Sequence, residues 1–148
     1  MGGRAEPQGV EYLDHTADVG ILARGRSVDE AFRRAAEGLF ALMVRLDAVR
    51  PSVRRPVRCR AASLQELLVE WLSALLAERD LGELVFGRFE AAIEEGEGGV
   101  FLHGAAFGEA LDPSRHEPGI EVKVISFLGL SVDQEREGDW VAACVVDV

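Results

Sequence analysis

The sequence predicts an α+β domain in two layers, two helices packed on a mostly antiparallel sheet of about six strands. Three observations carry the prediction. Two serine-initiated amphipathic stretches, opening at Ser27 and Ser63, lie in the first half of the chain. Short apolar or alternating runs fill the second half, and a Gly96-Glu97-Gly98-Gly99 turn joins two of them. A chain of 148 residues with 48% hydrophobic content is long enough to bury one core and reads as a single domain. The expected organisation is a flexible lead over residues 1–10 and a domain over residues 11–148.

In order along the chain, Met1 to Gln8 has no periodicity, and its glycines and proline favour a loose lead-in. Tyr12 to Gly20 forms a turn rich in acid, imidazole and hydroxyl groups, and Val19 to Ala23 reads as a strand. Ser27 followed by Glu30 is a capping box, and Val28, Phe32, Ala35, Leu39, Leu42 and Met43 recur at helical spacing to about Val44. Pro51 to Arg60 alternates Val53, Val57 and Cys59 with Arg54, Arg58 and Arg60; its prolines mark an edge strand. Ser63-Leu64-Gln65-Glu66 repeats the capping pattern ahead of a broad leucine stripe that includes Trp71 and runs to about Arg79. Val85 to Glu94 and Val100 to Phe107 read as a hairpin. The turn-rich connector Asp112 to Gly119 then leads to strands over Glu121 to Phe127 and Trp140 to Asp147, around a polar loop from Gln134 to Asp139.

Composition excludes some classes of partner. A net charge of −10 and a pI near 4.8 disfavour broad attraction to nucleic-acid phosphate or anionic lipid, so a basic protein or a cation is the easier partner. The chain shows no signal-peptide pattern and no apolar run near the roughly 18 residues that span a bilayer, so the expected location is cytoplasmic. Cys59 and Cys144 sit singly in apolar contexts and read as small buried hydrophobes.

Four acidic groups at the sequence extremes carry the sharpest chemical reading. Asp14, Asp18, Asp147 and the carboxylate of Val148 would form an oxygen-rich pocket if the extremes met. Carboxylates brought together repel unless they are protonated or bridged by a cation. Calcium, magnesium or manganese suits such donors, whereas zinc would want His or Cys as well. The bland alternative, favoured by the residues alone, has Asp14 and Asp18 bonding within their own turn and Asp147 solvated. His15, beside Thr16 and Asp18, is compatible with a base, a ligand or a packing role. Zinc held by His15, His103, Cys59 and Cys144 lacks the close-spaced ligand pairs of structural sites. The absence of Gly-x-Ser-x-Gly argues against a serine hydrolase, and glycines 96, 98 and 99 precede no helix that would hold phosphate. Arg50, Arg54, Arg55, Arg58 and Arg60 form a basic stretch, read either as a contact for RNA phosphate or an acidic partner or as a solvated strand face.

Taken together, the residues resemble the archease family. Asp14-His15-Thr16-Ala17-Asp18-Val19-Gly20 is similar to that family's His-Thr-Ala-Asp signature and is followed by the same Ser-initiated helix. Gly108-Glu109-Ala110-Leu111-Asp112, His116-Glu117 leading to Glu121-Val122-Lys123, and the closing Trp140 to Val148 also fit. The resemblance implies a non-catalytic accessory protein for an RtcB-type RNA ligase in tRNA splicing and RNA repair. Such a protein promotes guanylylation and multiple turnover of the ligase and contacts RNA only through it. It further implies a metal site of Asp18, Asp147 and Val148, with His15, Lys123 and Asp14 in support. The family pattern commonly continues toward Thr-Tyr-His where this chain has Ser126-Phe127-Leu128, so roles tied to that tyrosine and histidine do not carry over. The competing expectations are a metal-dependent phosphoesterase using the same pocket and a chaperone-like interaction module. Self-association, the identity of the ion and the docking surface stay open at this level.

Overall fold

The computed structural model describes residues 6–14, 17–136 and 138–148. Its elements are β1 (Val10–Asp14), β2 (Asp18–Gly25), α1 (Val28–Met43), a single 3-10 turn (Leu46–Ala48), β3 (Val53–Ala61), α2 (Leu64–Gly82), β4 (Leu84–Gly96), β5 (Gly99–Ala110), β6 (Val124–Arg136) and β7 (Asp139–Asp147). The α+β class holds, with two helices packed on antiparallel strands. The strands number seven and divide into two sheets, one ordered β1-β2-β7-β6 and the other β3-β5-β4. Each helix contacts strands of both sheets, so the helical pair is shared between them rather than covering one face of a single sheet.

Both helices begin where the capping boxes placed them. The Ser27 and Ser63 side chains accept the Glu30 and Glu66 amides at 3.1 and 3.2 Å, and Glu30 in return accepts the Arg26 amide at 2.7 Å. Along α1 the apolar positions bury Phe32, Leu39 and Phe40, and Phe40 stacks edge-on to Phe86 of β4 at 5.6 Å. In α2, Trp71 is fully buried and its indole N–H donates to the Phe32 carbonyl at 3.0 Å, which fixes the two helices to each other. At the α2 terminus Glu83 turns left-handed, with φ +51°, and its amide returns to the Arg79 carbonyl.

Mid-helix Gly38 is required by close approach to the sheet. A β-carbon there would lie 2.9 Å from Val10 Cγ1 and 3.1 Å from Ile21 Cγ2, and the bare backbone lets the Tyr12 hydroxyl donate to the Gly38 carbonyl at 2.8 Å. Val10, which the sequence placed in the lead, is therefore a buried part of β1. Two further boundaries moved. β6 starts at Val124 and extends to Arg136, absorbing much of the expected loop, because residues between Ser126 and Ser131 bulge out and pairing with β7 then resumes. β3 is an edge strand as its prolines required, with Arg54, Arg58 and Arg60 exposed and Arg60 lying over the Phe101 ring.

Candidate functional site

Alternation decides which way the acids of β2 and β7 point. Val19, Ile21 and Ala23 and, on the neighbouring strand, Ala142, Cys144 and Val146 are buried against the helices. The intervening positions face outward. The antiparallel register pairs Asp18 directly with Asp147, so the two side chains leave the same face of the sheet with β-carbons about 4.5–5.5 Å apart. Like charges directly opposite each other destabilise a sheet. One oxygen of the pair, Asp18 Oδ1, is buried and accepts no hydrogen bond from the described residues.

The flanking main chain completes the arrangement. The Val148 amide donates to the Ala17 carbonyl at 3.4 Å, and the Lys123 amide donates to the Asp147 carbonyl at 2.9 Å. Thus Asp18, Asp147 and Val148 converge, and Lys123 reaches them through its backbone while its side chain is exposed. Asp14 ends β1 paired with Val19, but its side chain lies outside the described residues, as do His15 and Thr16. Among the described residues, no three His, Cys, Asp or Glu side chains group as a metal site. A third oxygen beside the aspartate pair would come from Val148. An all-oxygen, anionic donor set with an unpartnered buried oxygen is one that suits a hard divalent cation.

Apolar residues that sequence reasoning missed surround this face. Val124 pairs with Asp147, and Leu13 sits on the outer edge strand β1; both are exposed. The β6 bulge carries Phe127 and Leu128, which are 67% and 80% exposed. Gly129 permits the bulge, with φ +72° and only 2.9 Å of room toward Val145 Cγ2. For Phe127 and Leu128 the sequence signal was their departure from the family's Thr-Tyr-His pattern, an apolar pair at a position where the strand was expected to end.

A second polar constellation lies in the connector. Glu109 and His116 are the buried polar side chains among the described residues. Glu109 accepts from Arg115 Nη2 at 2.5 Å, from the Arg50 amide at 2.9 Å and from His116 Nε2 at 2.8 Å, while His116 Nδ1 accepts the Asp112 amide at 2.9 Å. The Nδ1 acceptor role fixes the ring as the Nε2–H tautomer. The Arg115 guanidinium, with the Arg50 amide next in importance, holds the Glu109 carboxyl well below its usual range, at about 2.

The scattered zinc set does not assemble. Cys59 and His103 lie on β3 and β5, Cys144 lies in the other sheet, and His15 is outside the described residues. Burial pushes the thiols up, Cys59 to about 11 and Cys144 to about 12, as expected of packing residues.

Residues 10–148 match the model of the Archease protein family (MTH1598/TM1083). The chain belongs to the archease family. The archease of Pyrococcus abyssi is 39% identical over 138 residues, spanning 93% of this chain and 97% of that protein. The archease of Thermococcus kodakarensis is 38% identical with the same coverage, and that of Methanosarcina mazei is 36% identical over 139 residues, 93% of this chain and 94% of its own. The solution structure of Methanobacterium thermoautotrophicum protein 1598 superposes with a TM-score of 0.84 at 31% identity, covering 95% of this chain and 99% of that one. The resemblance drawn from the Asp14–Gly20 signature is therefore correct, and the archease-family fold is the one described above. No helix among the described residues is long and apolar enough to cross a membrane.

Proposed function

We propose that this archease-family chain is a non-catalytic accessory protein of an RtcB-type RNA ligase, acting in tRNA splicing and RNA repair from the cytoplasm. In this reading Asp18, Asp147 and the terminal carboxylate of Val148 hold one calcium, magnesium or manganese ion. The observation that supports it most strongly is the direct pairing of Asp18 with Asp147, with one buried Asp18 oxygen left unpartnered, at the position of the family signature. Two like charges held on one face cost stability unless something between them offsets the repulsion.

A divalent ion bound there would supply positive charge for the phosphates of the nucleotide that guanylylates the ligase. The chain's own residues present the site. Asp18 and Asp147 fix the donor oxygens on two hydrogen-bonded strands, and the Lys123 amide, just ahead of β6, clamps the end of β7. Exposed Lys123 is placed to pair with phosphate or to neutralise the acids, with His15 and Asp14 in support. The exposed Leu13, Val124, Phe127 and Leu128 provide apolar contact around an acidic centre, an arrangement suited to docking on a protein rather than on RNA.

The test is to mix this protein with the RtcB-type ligase of its own organism and follow ligase guanylylation and multiple-turnover joining. Wild type should stimulate both, and Asp18→Ala should abolish most of the stimulation while keeping the fold. No stimulation by the wild type, or phosphoester hydrolysis by the isolated chain that depends on Asp18 and a divalent ion, would overturn the proposal.

A further inference from the structure

A groove of about 440 Å³ opens where the C-terminal ends of α1 and α2 meet the start of β4 and the connector that follows β5. Its apolar lining comes from Met43, Val44, Leu84, Val85, Leu111 and Ile120. Val44 and Val85 are buried and belong with Val49 to a small packed cluster of their own, whereas Leu111 and Ile120 are half exposed at the mouth. Large apolar side chains left open around a concave surface mark a contact site more than a solvated one. Three exposed acids, Asp80, Glu83 and Glu121, stand at this rim. The only cation among the lining residues, Arg79, is already engaged, with Nε on Asp80 at 2.8 Å and Nη1 on the Met43 sulfur at 2.7 Å.

The wall of this groove is built rigidly. The Gly119 and Ile120 amides donate to the Met43 and Leu42 carbonyls at 2.9 and 2.7 Å, closing the connector onto the end of α1. The Leu111 amide donates to the Glu83 carbonyl at 3.0 Å. Between these anchors, the Glu109–Arg115–His116 network, in which Glu109 and His116 are buried and Arg115 is partly exposed, fixes the connector, and Arg115 Nη1 reaches on to the Ala48 carbonyl at 3.1 Å. The proposed metal chemistry uses none of these groups. Burying Glu109 and His116 is costly unless they are paired, and what their pairing secures here is the shape of one groove wall. A preformed wall lowers the ordering cost of binding.

We propose that this groove receives a segment of another protein that inserts one large apolar side chain between Leu111 and Ile120 and sets Lys or Arg against Glu83 and Glu121. Charge selects this occupant. An acidic rim on a chain of net charge −10 repels nucleic acid and anionic lipid, and a second copy docking rim to rim would bring the same acidic charge with it. The inference does not depend on the ligase reading, because the groove's floor and rim are separate from the Asp18–Asp147 pair.

The experiment is selection of random 12-residue peptides displayed on phage against the intact protein, followed by binding of the enriched peptides to Leu111→Asp. This substitution alters a half-exposed side chain, and an amide fingerprint spectrum checks the fold. Enriched peptides should carry a large apolar residue flanked by Lys or Arg. Synthetic copies should lose about ten-fold in affinity both on Leu111→Asp and on the double reversal Glu83→Lys/Glu121→Lys. The matched reversal Glu95→Lys/Glu97→Lys, on the exposed β4–β5 turn, should change affinity less than about two-fold. Equal losses from the two reversals would mean diffuse attraction and overturn the proposal. Failure to enrich such peptides, or enrichment of peptides that bind Leu111→Asp unchanged, would overturn it as well. Concentration-dependent dimerisation abolished by Leu111→Asp would assign the groove to a second copy and overturn it too.

Discussion

Replacing Asp18 with Asn should stabilise the metal-free protein and destabilise it, relative to wild type, once a divalent ion is present. The side chains of Asp18 and Asp147 leave one sheet face from directly paired positions. At about 5 Å the repulsion between two full charges is about 0.8 kcal/mol in water and about 3.3 kcal/mol at an effective dielectric of about 20. Asp147 is exposed while Asp18 is half-buried, so screening brings the value toward the lower bound, about 1 kcal/mol. Asn keeps the shape and the unpartnered oxygen, so the charge is the main thing that changes. In EDTA the melting temperature of Asp18→Asn should therefore rise by about 2–4 °C for a chain of this size. With an ion at roughly 100 times its Kd, wild type gains about 2.7 kcal/mol through binding to the folded state only. That gain exceeds the relief of repulsion, and the order of the two proteins reverses. Thermal or urea denaturation in EDTA and in calcium, magnesium and manganese titrations reads both halves. A variant less stable than wild type in EDTA would refute the repulsion argument. An ion that stabilises both proteins equally would refute the site.

Other outcomes follow from separate features. Gly38→Ala should lose about 1–2 kcal/mol in urea denaturation, because the clash with Val10 and Ile21 outweighs the roughly 1 kcal/mol that alanine gains in helix propensity. Glu109→Gln should flatten the pH dependence of stability. The folded carboxyl sits at about 2 against an ordinary 4.5, so its contribution is present above about 4.5 and is lost as pH falls toward 2. The difference in urea midpoint between wild type and variant should shrink across that window, and a constant difference would contradict it. Extending the chain with Gly-Ser after Val148 should remove the ion-dependent rise in melting temperature while leaving the EDTA value unchanged, since an amide replaces the carboxylate.

What was legible in the sequence was local. Ser27 with Glu30 and Ser63 with Glu66 set both helix starts within a residue, and the glycines at 96 to 99 set the β4–β5 turn, where Gly96 pairs with Gly99. β1 was missed because, among its described side chains, Val10 and Tyr12 alone point inward, too few to register as alternation beside a polar turn. The reach of β6 was missed because its bulge breaks the period of two at Phe127 to Leu130. Division into two sheets depends on pairings far apart in the chain, which periodicity does not encode. The same holds for the acids, since nothing near Asp18 specifies that Asp147 lies opposite. Resemblance linked them, and the register supplies the geometry. The groove beside α2 had no local signal, because its floor comes from two helix ends and a connector.

The order of the four-stranded sheet also bears on how the protein reaches its native state. β4–β5 and β6–β7 are neighbours along the chain and can zip from short turns, whereas β2 meets β7 only after nearly all of the polypeptide has been looped back. Such closure is entropically slow and raises the mean sequence separation of native contacts. In refolding kinetics, probes on the hairpins should report early structure, and the two facing aspartates should come into register among the late events.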